Sequence, residues 1–181
     1  GFLLGGTAGR TTLNGEGLQH QDGHSHMLAA TIPNCVSYDP AYAYELAVII
    51  QRGLQHMFVE QAPLYYYITV MNEAYEQPAM PDGVEQGIIR GMYCVASDDS
   101  ETVSRVRLLA SGALLREALA AAELLRNDYS VAVQVWSVTS YTELSRDIED
   151  VKRWNMLHSN QEPRRSHVDA CMHDGDVWQG A

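Results

Sequence analysis

Short apolar runs alternate with turn-forming residues along the chain, which is the pattern of an α/β protein. The runs are rich in Val, Ile, Leu and Tyr, residues that favour buried strands, and most are bounded by Gly, Pro, Asp or Ser. We therefore predict five strands, over Phe2–Leu4, Ile32–Tyr38, Leu64–Met71, Val103–Ala110 and Val131–Val138.

Two helical patterns lie between these strands. Asp39 and Pro40 predict the start of the first helix, because Asp can cap exposed amides and Pro is tolerated at the first helical position. Its apolar stripe continues to about Met57, at Tyr42, Leu46, Ile49, Ile50 and Leu54. An Ala- and Leu-rich stretch predicts the second helix over Ala113–Asn127. Strand, helix and strand in each half predict two βαβ units with parallel strands.

The proline-containing segment Pro78–Gly83 separates the two units, because it opposes helix on either side. We predict a domain junction near residue 80, with one domain over residues 1–80 and a second over residues 81–181. The chain has no initiator Met, and Gly1 begins inside an apolar strand pattern. We therefore expect both ends to be cuts within a longer polypeptide.

Composition and charge exclude several classes of function. Twelve basic against twenty-three acidic residues give a net charge of −11, so the clustered positive charge of a nucleic-acid-binding protein is missing. No apolar run approaches the roughly 20 residues of a membrane-spanning helix, and no basic segment precedes Phe2 as in a signal peptide. Three distant cysteines without a CxxC pair indicate a reducing compartment, and we expect a cytoplasmic protein.

The stretch Gly5–Gly23 is too rich in glycine for a regular helix or strand, and a long ordered loop is often functional. Its glycine spacing fits neither nucleotide motif: Leu4 stands where a P-loop needs its first glycine. In the dinucleotide fingerprint that would start at Gly15, His20 replaces the third glycine.

Three histidines and two carboxylates lie close together at the end of this stretch, at Glu16, His20, Asp22, His24 and His26. One interpretation is an acid–base site, because imidazole titrates near neutral pH and a carboxylate can orient it or hold a polar heterocycle. A second is a metal site built from Asp22, His24 and His26. A third is a polar loop whose histidines bond only to neighbouring backbone.

Two other features have a structural and a functional interpretation. Ser111 and Gly112 precede the second helix, where they could receive an anion or provide a simple cap. The three tyrosines Tyr65, Tyr66 and Tyr67 fit a packed strand better than a stacking platform.

Several long blocks together resemble the family of homodimeric bacterial pyruvate dehydrogenases, the decarboxylating component of the pyruvate dehydrogenase complex. The resemblance covers about residues 1–160. It rests on the Gly5–His20 stretch and the following Asp22–His26. Further blocks agree in order, at Ile32–Cys35, Tyr38–Glu45, Tyr65–Thr69, Pro78–Pro81, Ser137–Ser140, Thr142–Leu144 and Arg153–His158. The tail from Glu162 onward fits less clearly, and Ser145 and Ile148 depart from the pattern.

The resemblance implies a parallel-sheet, thiamine-diphosphate-binding fold of the transketolase kind. Residues 1–80 would be the later part of the middle, pyrimidine-binding domain, and residues 81–181 the earlier part of the C-terminal domain. It further implies a homodimer that uses thiamine diphosphate and Mg²⁺ to decarboxylate pyruvate and to pass the acetyl group to the lipoyl group of dihydrolipoamide acetyltransferase. His20 matches a loop histidine near the reacting centre, and Glu16 matches its neighbouring carboxylate.

The family's Gly-Asp-Gly motif with paired asparagines, which holds magnesium and diphosphate, is not found in these 181 residues. We therefore expect the 181 residues alone neither to bind thiamine diphosphate tightly nor to turn over pyruvate. The alternatives are another thiamine-dependent enzyme such as a transketolase, a non-catalytic interaction or regulatory domain, and a metal-dependent hydrolase using His24 and His26.

Overall fold

The computed structural model describes residues 22–71, 73–98, 104–173 and 179–180. Their strands form two sheets, and in chain order the elements are α1 Ser25–Ala30, β1 Cys35–Tyr38, α2 Ala43–Leu54, β2 Tyr65–Ile68, α3 Glu85–Arg90, β3 Tyr93–Ser97, β4 Arg105–Ala110, α4 Leu114–Tyr129, β5 Ala132–Ser137, α5 Tyr141–Leu157, α6 His167–Met172 and β6 Gln179–Gly180. A π-helical turn, Gln55–Val59, extends α2. None of the helices within the described residues is long and apolar enough to cross a membrane.

Both predicted βαβ units form parallel strand pairs. β1 pairs with β2 in parallel, with Cys35 opposite Tyr65, and β4 pairs with β5 in parallel, with Arg105 opposite Ala132. The second sheet has the order β3-β5-β4-β6, and in it β3 lies antiparallel to β5. The predicted strand over Phe2–Leu4 lies outside the described residues.

The first predicted helix begins later than expected. Asp39 and Pro40 do not start it: α2 begins at Ala43, and the carboxylate of Glu45 accepts hydrogen bonds from the amides of Ala41 (2.5 Å) and Tyr42 (3.0 Å). Glu45 therefore satisfies the exposed amides at the helix start, the task that the sequence assigned to Asp39.

Glu45 is completely buried and joins the two units. Its Oε1 atom accepts hydrogen bonds from the hydroxyls of Tyr93 on β3 and Ser137 on β5, both at 2.6 Å. Tyr44 lies 2.6 Å from the same Tyr93 oxygen and donates to it, since the Tyr93 proton is used toward Glu45. Burial and the Glu45 charge raise the pKa of Tyr93 far above its usual value, so the phenol stays a donor. We call these four residues, Tyr44, Glu45, Tyr93 and Ser137, the Glu45 seam.

The apolar core also crosses between the units. One cluster contains Val36 and Ile49 from the first unit together with Ile88 and Tyr93 from beyond the predicted junction. A second packs α4 against the larger sheet, and a third packs α5 and α6 against its other face. The larger sheet is therefore covered on both faces, as expected for an α/β arrangement.

Candidate functional site

The carboxyl ends of parallel strands from both sheets meet at one edge of the fold. Asp39 follows β1 directly, Thr69 follows β2, and Ser111 follows β4. The Asp39 amide donates to the carbonyl of Thr139, just beyond β5, at 2.8 Å, and the Gly112 amide donates to the Asp39 carbonyl at 3.1 Å. Open parallel sheets bind their ligands at this edge, so we take it as the candidate site.

Asp39, a residue that is only 8% exposed, holds this edge together through its side chain. Its Oδ1 atom lies 2.5 Å from the Thr69 hydroxyl, and its Oδ2 atom accepts a hydrogen bond from the Ser111 hydroxyl at 2.9 Å. Gly112, at φ +51°, lies so close that a Cβ added there would be 2.7 Å from either carboxylate oxygen. Only glycine fits that position without displacing the carboxylate.

His26 extends this network to the end of the glycine-rich stretch. Its Nε2 atom lies 2.9 Å from the Thr69 hydroxyl oxygen. Because Thr69 uses its single proton toward Asp39, the imidazole Nε2–H donates to Thr69, which places a proton on that ring nitrogen. We call His26, Asp39, Thr69 and Ser111 the edge cluster.

Residues 22–26 are also fixed against β2 by a second set of contacts. The Asp22 carboxylate accepts hydrogen bonds from the amides of His24 (3.1 Å) and Ser25 (2.9 Å), so it satisfies donors at the start of α1. The Tyr67 hydroxyl donates to the other Asp22 oxygen at 3.4 Å, and the His26 ring meets the Tyr67 ring edge-on, with centroids 5.4 Å apart.

Tyr141 brings a further hydroxyl near the edge, at the start of α5. Burial raises its pKa, and the negative charge of Asp39 raises it further, so the phenol is neutral at physiological pH. The edge therefore combines one buried carboxylate with hydroxyl groups and the His26 imidazole.

Two protein-family models match the chain. The pyruvate dehydrogenase E1 component middle domain matches residues 1–78, and the transketolase-like TK C-terminal domain matches residues 91–178. The pyruvate dehydrogenase E1 component of Pseudomonas aeruginosa is 62% identical over 172 residues, which are 95% of this chain and 20% of that protein. This chain is homologous to a stretch of the pyruvate dehydrogenase E1 components.

Other E1 components agree with this assignment. That of Cupriavidus necator is 58% identical over 93% of this chain and 19% of its own length, and that of Escherichia coli K12 is 56% identical over 96% of this chain and 20% of its own length. The chain thus spans about a fifth of the length of these relatives. The junction predicted near residue 80 lies between the two matched family models and stays a prediction.

Solved structures confirm the predicted transketolase-like fold. A transketolase variant from Pichia stipitis aligns with a TM-score of 0.55 over 90% of this chain and 20% of its own, at 13% identity. Transketolase of Pichia stipitis in complex with sedoheptulose 7-phosphate aligns with a TM-score of 0.50 over 68% of this chain and 17% of its own, at 14% identity. Similarity at this level concerns the fold alone.

The two residues predicted to act, Glu16 and His20, lie outside the described residues of the chain. The metal interpretation of Asp22, His24 and His26 gains no support: Asp22 is bonded to backbone amides, His24 is exposed, and His26 is bonded to Thr69. Nowhere in the described parts of the chain do three His, Cys, Asp or Glu side chains form a group that could hold a metal ion.

The prediction for Ser111 and Gly112 is wrong in detail. They provide no simple cap, because the α4 cap position is Ala113 and the Ser111 hydroxyl is bonded to Asp39. The roles of Asp39 and Thr69 in the edge cluster were missed altogether. The available signal was their position, since each is the polar residue that follows a predicted parallel strand or falls at its end.

Proposed function

We propose that this chain is part of a pyruvate dehydrogenase E1 component that decarboxylates pyruvate and passes the acetyl group to the lipoyl group of dihydrolipoamide acetyltransferase. The relatives that carry this name support the proposal. The observation that carries it is the fixing of residues 22–26 at the edge where strands of both sheets end. His20 lies two positions and Glu16 six positions before this segment in the sequence, and ligands bind at this edge in α/β proteins.

The cofactor of the proposed reaction is thiamine diphosphate, which supplies an electron sink for the decarboxylation. Glu16 and His20 would hold it, with His20 moving protons during the reaction and Glu16 orienting the imidazole or the heterocycle. The Asp39 carboxylate does not suit a metal, because two hydroxyls already donate to it inside the fold. We therefore propose that the ligands of Mg²⁺ and of the diphosphate lie outside this chain.

We further propose that the full protein is a cytoplasmic homodimer. The three cysteines support a reducing compartment, since Cys35, Cys94 and Cys171 are all thiols rather than disulfides. Homodimerisation is carried over from the family resemblance. Sedimentation of the full protein tests it.

The test of the proposed function uses a chimaera, the E1 component of Pseudomonas aeruginosa in which this sequence replaces the aligned stretch. His20→Ala should lower the rate of lipoyl acetylation roughly 100-fold or more, because it removes a group that moves protons. Glu16→Gln should weaken thiamine diphosphate binding, measured by calorimetry. His24→Ala is the matched control, since it changes the same residue type at an exposed position of the described segment.

An unchanged rate and cofactor affinity in both Glu16→Gln and His20→Ala would contradict the proposal. An equal loss in His24→Ala would also contradict it, because the effect would then belong to the segment rather than to the two named side chains.

A further inference from the structure

Asp39 places a negative charge at a point where three elements meet. It follows β1, its Oδ1 atom is bonded to the residue after β2, and its Oδ2 atom is bonded to the residue after β4. The Asp39 backbone is part of the same junction, because its amide donates to Thr139 and its carbonyl accepts from Gly112. One residue therefore fixes the relative positions of four strand ends.

The same carboxylate stands where the sequence suggested that an anion could bind. Ser111 and Gly112 lie just before α4, a helix of 16 residues whose first amides favour negative charge. The protein's own Asp39 contacts both residues there, with a hydrogen bond from the Ser111 hydroxyl and one to its carbonyl from the Gly112 amide. Asp39 is thus an internal anion, and it ties the first unit to the second at this edge.

A continuous path of hydrogen bonds leads from the Asp39 carboxylate to His26, in the segment of residues 22–26. Ser111 donates to Asp39, Thr69 donates to Asp39, and His26 donates to Thr69. A hydrogen bond to an ionised acceptor is shorter and about twice as strong as a neutral one, so Asp39 fixes the Thr69 hydroxyl that receives His26. His26 lies six positions after His20 in the sequence.

We propose that Asp39 is a positioning residue for the E1 reaction, which holds residues 22–26 at the carboxyl edge through Thr69 and His26. This inference rests on the proposed function. Among the described residues the Asp39 side chain is bonded to Thr69 and Ser111. Its removal should therefore loosen residues 22–26, which follow Glu16 and His20 in the sequence, rather than remove a proton carrier.

The chimaera described above provides the test, with Asp39→Ala and Thr69→Val as two independent ways to cut the path. Displacement of a positioned group by about 1 Å can cost on the order of 100-fold in rate. We expect kcat for lipoyl acetylation to fall about tenfold or more in Asp39→Ala, and by a smaller factor in Thr69→Val, with less than a threefold change in KM for pyruvate. Hydrogen exchange of amides 22–30 should accelerate in both variants.

Ser37→Ala is the matched control for a purely structural loss. Ser37 is fully buried one strand position away from Tyr38, and its hydroxyl donates to Thr142 at 2.9 Å, so it also joins the two units. It lies outside the edge cluster, and we expect a lower unfolding midpoint with kcat within twofold of the parent. Thr69→Val removes the hydroxyl that is hydrogen-bonded to Asp39 and His26 and leaves the side-chain size nearly unchanged. The proposal can therefore still be tested with this variant if Asp39→Ala does not fold.

The inference fails if kcat and the exchange of amides 22–30 are unchanged in folded Asp39→Ala or in Thr69→Val. It also fails if Ser37→Ala lowers kcat as much as Asp39→Ala at a similar loss of stability. The His20→Ala variant distinguishes a failure of the positioning role from a failure of the proposed function. If His20→Ala lowers the rate strongly but Asp39→Ala and Thr69→Val do not, only the positioning role of Asp39 is overturned. If His20→Ala has no effect, the proposed function itself is overturned.

Discussion

Two buried carboxylates, Asp39 and Glu45, stand six residues apart on either side of the start of α2. Both accept hydrogen bonds from hydroxyls of the second unit, Asp39 from Ser111 and Glu45 from Tyr93 and Ser137. Both therefore join the first βαβ unit to the second. Their chemistry is alike, but their surroundings are not.

The difference lies in where each network leads. The edge cluster continues from Asp39 through Thr69 to His26, at the end of the glycine-rich stretch. The Glu45 seam ends inside the fold, because its remaining acceptor oxygen is used by the amides of Ala41 and Tyr42. Asp39 is thus placed to position residues 22–26, and Glu45 to stabilise the interior. Burial alone does not distinguish these two roles, because both carboxylates are buried. They are distinguished by the residues to which their hydrogen-bond partners are bonded in turn.

The largest expected effect comes from Glu45→Ala. It leaves two hydroxyls and two amides buried without their acceptor, and each hydrogen bond to a charged group is worth about 1.5–3 kcal/mol. Allowing for relaxation, we expect a loss of about 3–5 kcal/mol, seen as a lower urea midpoint of the chimaera. The main effect should be on stability, because kcat per folded molecule should fall less than in Asp39→Ala.

Glu149→Ala is the control for that variant, because its side chain is 69% exposed and pairs only with Lys152 among the described residues. An exposed pair of this kind contributes roughly 0–1 kcal/mol. If Glu45→Ala and Glu149→Ala shift the midpoint equally, the seam contributes no more than a surface charge, and the comparison between the two carboxylates loses its basis.

The parallel units were predictable because their signals are local. The β-rich stretches around Val36, Tyr66 and Val135 and the apolar stripe of α2 each indicate one element, and strand–helix–strand order implies parallel pairing. The antiparallel strand β3 was not predicted. Tyr93–Ser97 is short and its place beside β5 depends on long-range pairing, which no local pattern encodes.

The candidate site was only partly predictable for the same reason. That the histidine-containing segment carries the chemistry stays a prediction, and the sequence assigned Asp39 a local role as a helix cap. Asp39 forms its bonds with Thr69 and Ser111, which are 30 and 72 positions away. The cap was supplied by Glu45, whose side chain reaches back over one turn. Asp and Glu both suit a helix start, so propensity could not choose between them.

Gly112→Ala sharpens the comparison with an intermediate effect. A residue other than glycine at φ +51° costs roughly 1–2 kcal/mol, and the new Cβ would also lie 2.7 Å from the Asp39 oxygens. We expect a loss of about 2–3 kcal/mol, again measured by the urea midpoint. Because the contact is with Asp39, the double variant Asp39→Ala/Gly112→Ala should lose about 1 kcal/mol less than the sum of the two single variants.

Gly83→Ala isolates the backbone contribution in that experiment. Gly83 also has a positive φ, +75°, but nothing lies within 4 Å of its added Cβ. It should therefore show the conformational cost alone and add to Asp39→Ala without coupling. If the stability losses of Gly112→Ala and Asp39→Ala are also strictly additive, the Asp39 carboxylate is not held against Gly112.

The smallest expected effect concerns His167, a buried titratable group besides the two carboxylates Asp39 and Glu45. Its Nε2–H donates to the carbonyl of Met92 at 2.9 Å. Burial lowers the pKa of His167 and Arg90 lowers it further, while the Met92 hydrogen bond and Asp147 oppose the shift. The unfolded chain therefore binds a proton below about pH 6.5 that the folded chain resists. The contribution of His167 to stability should be fully present above that pH and should decline as the pH falls below it.

His167→Gln should reduce this decline in urea midpoints taken between about pH 6.5 and 5. His173→Gln, at a side chain that is 72% exposed, should leave it intact. A decline that persists unchanged in His167→Gln would instead assign it to other groups, with the buried carboxylates the first to examine.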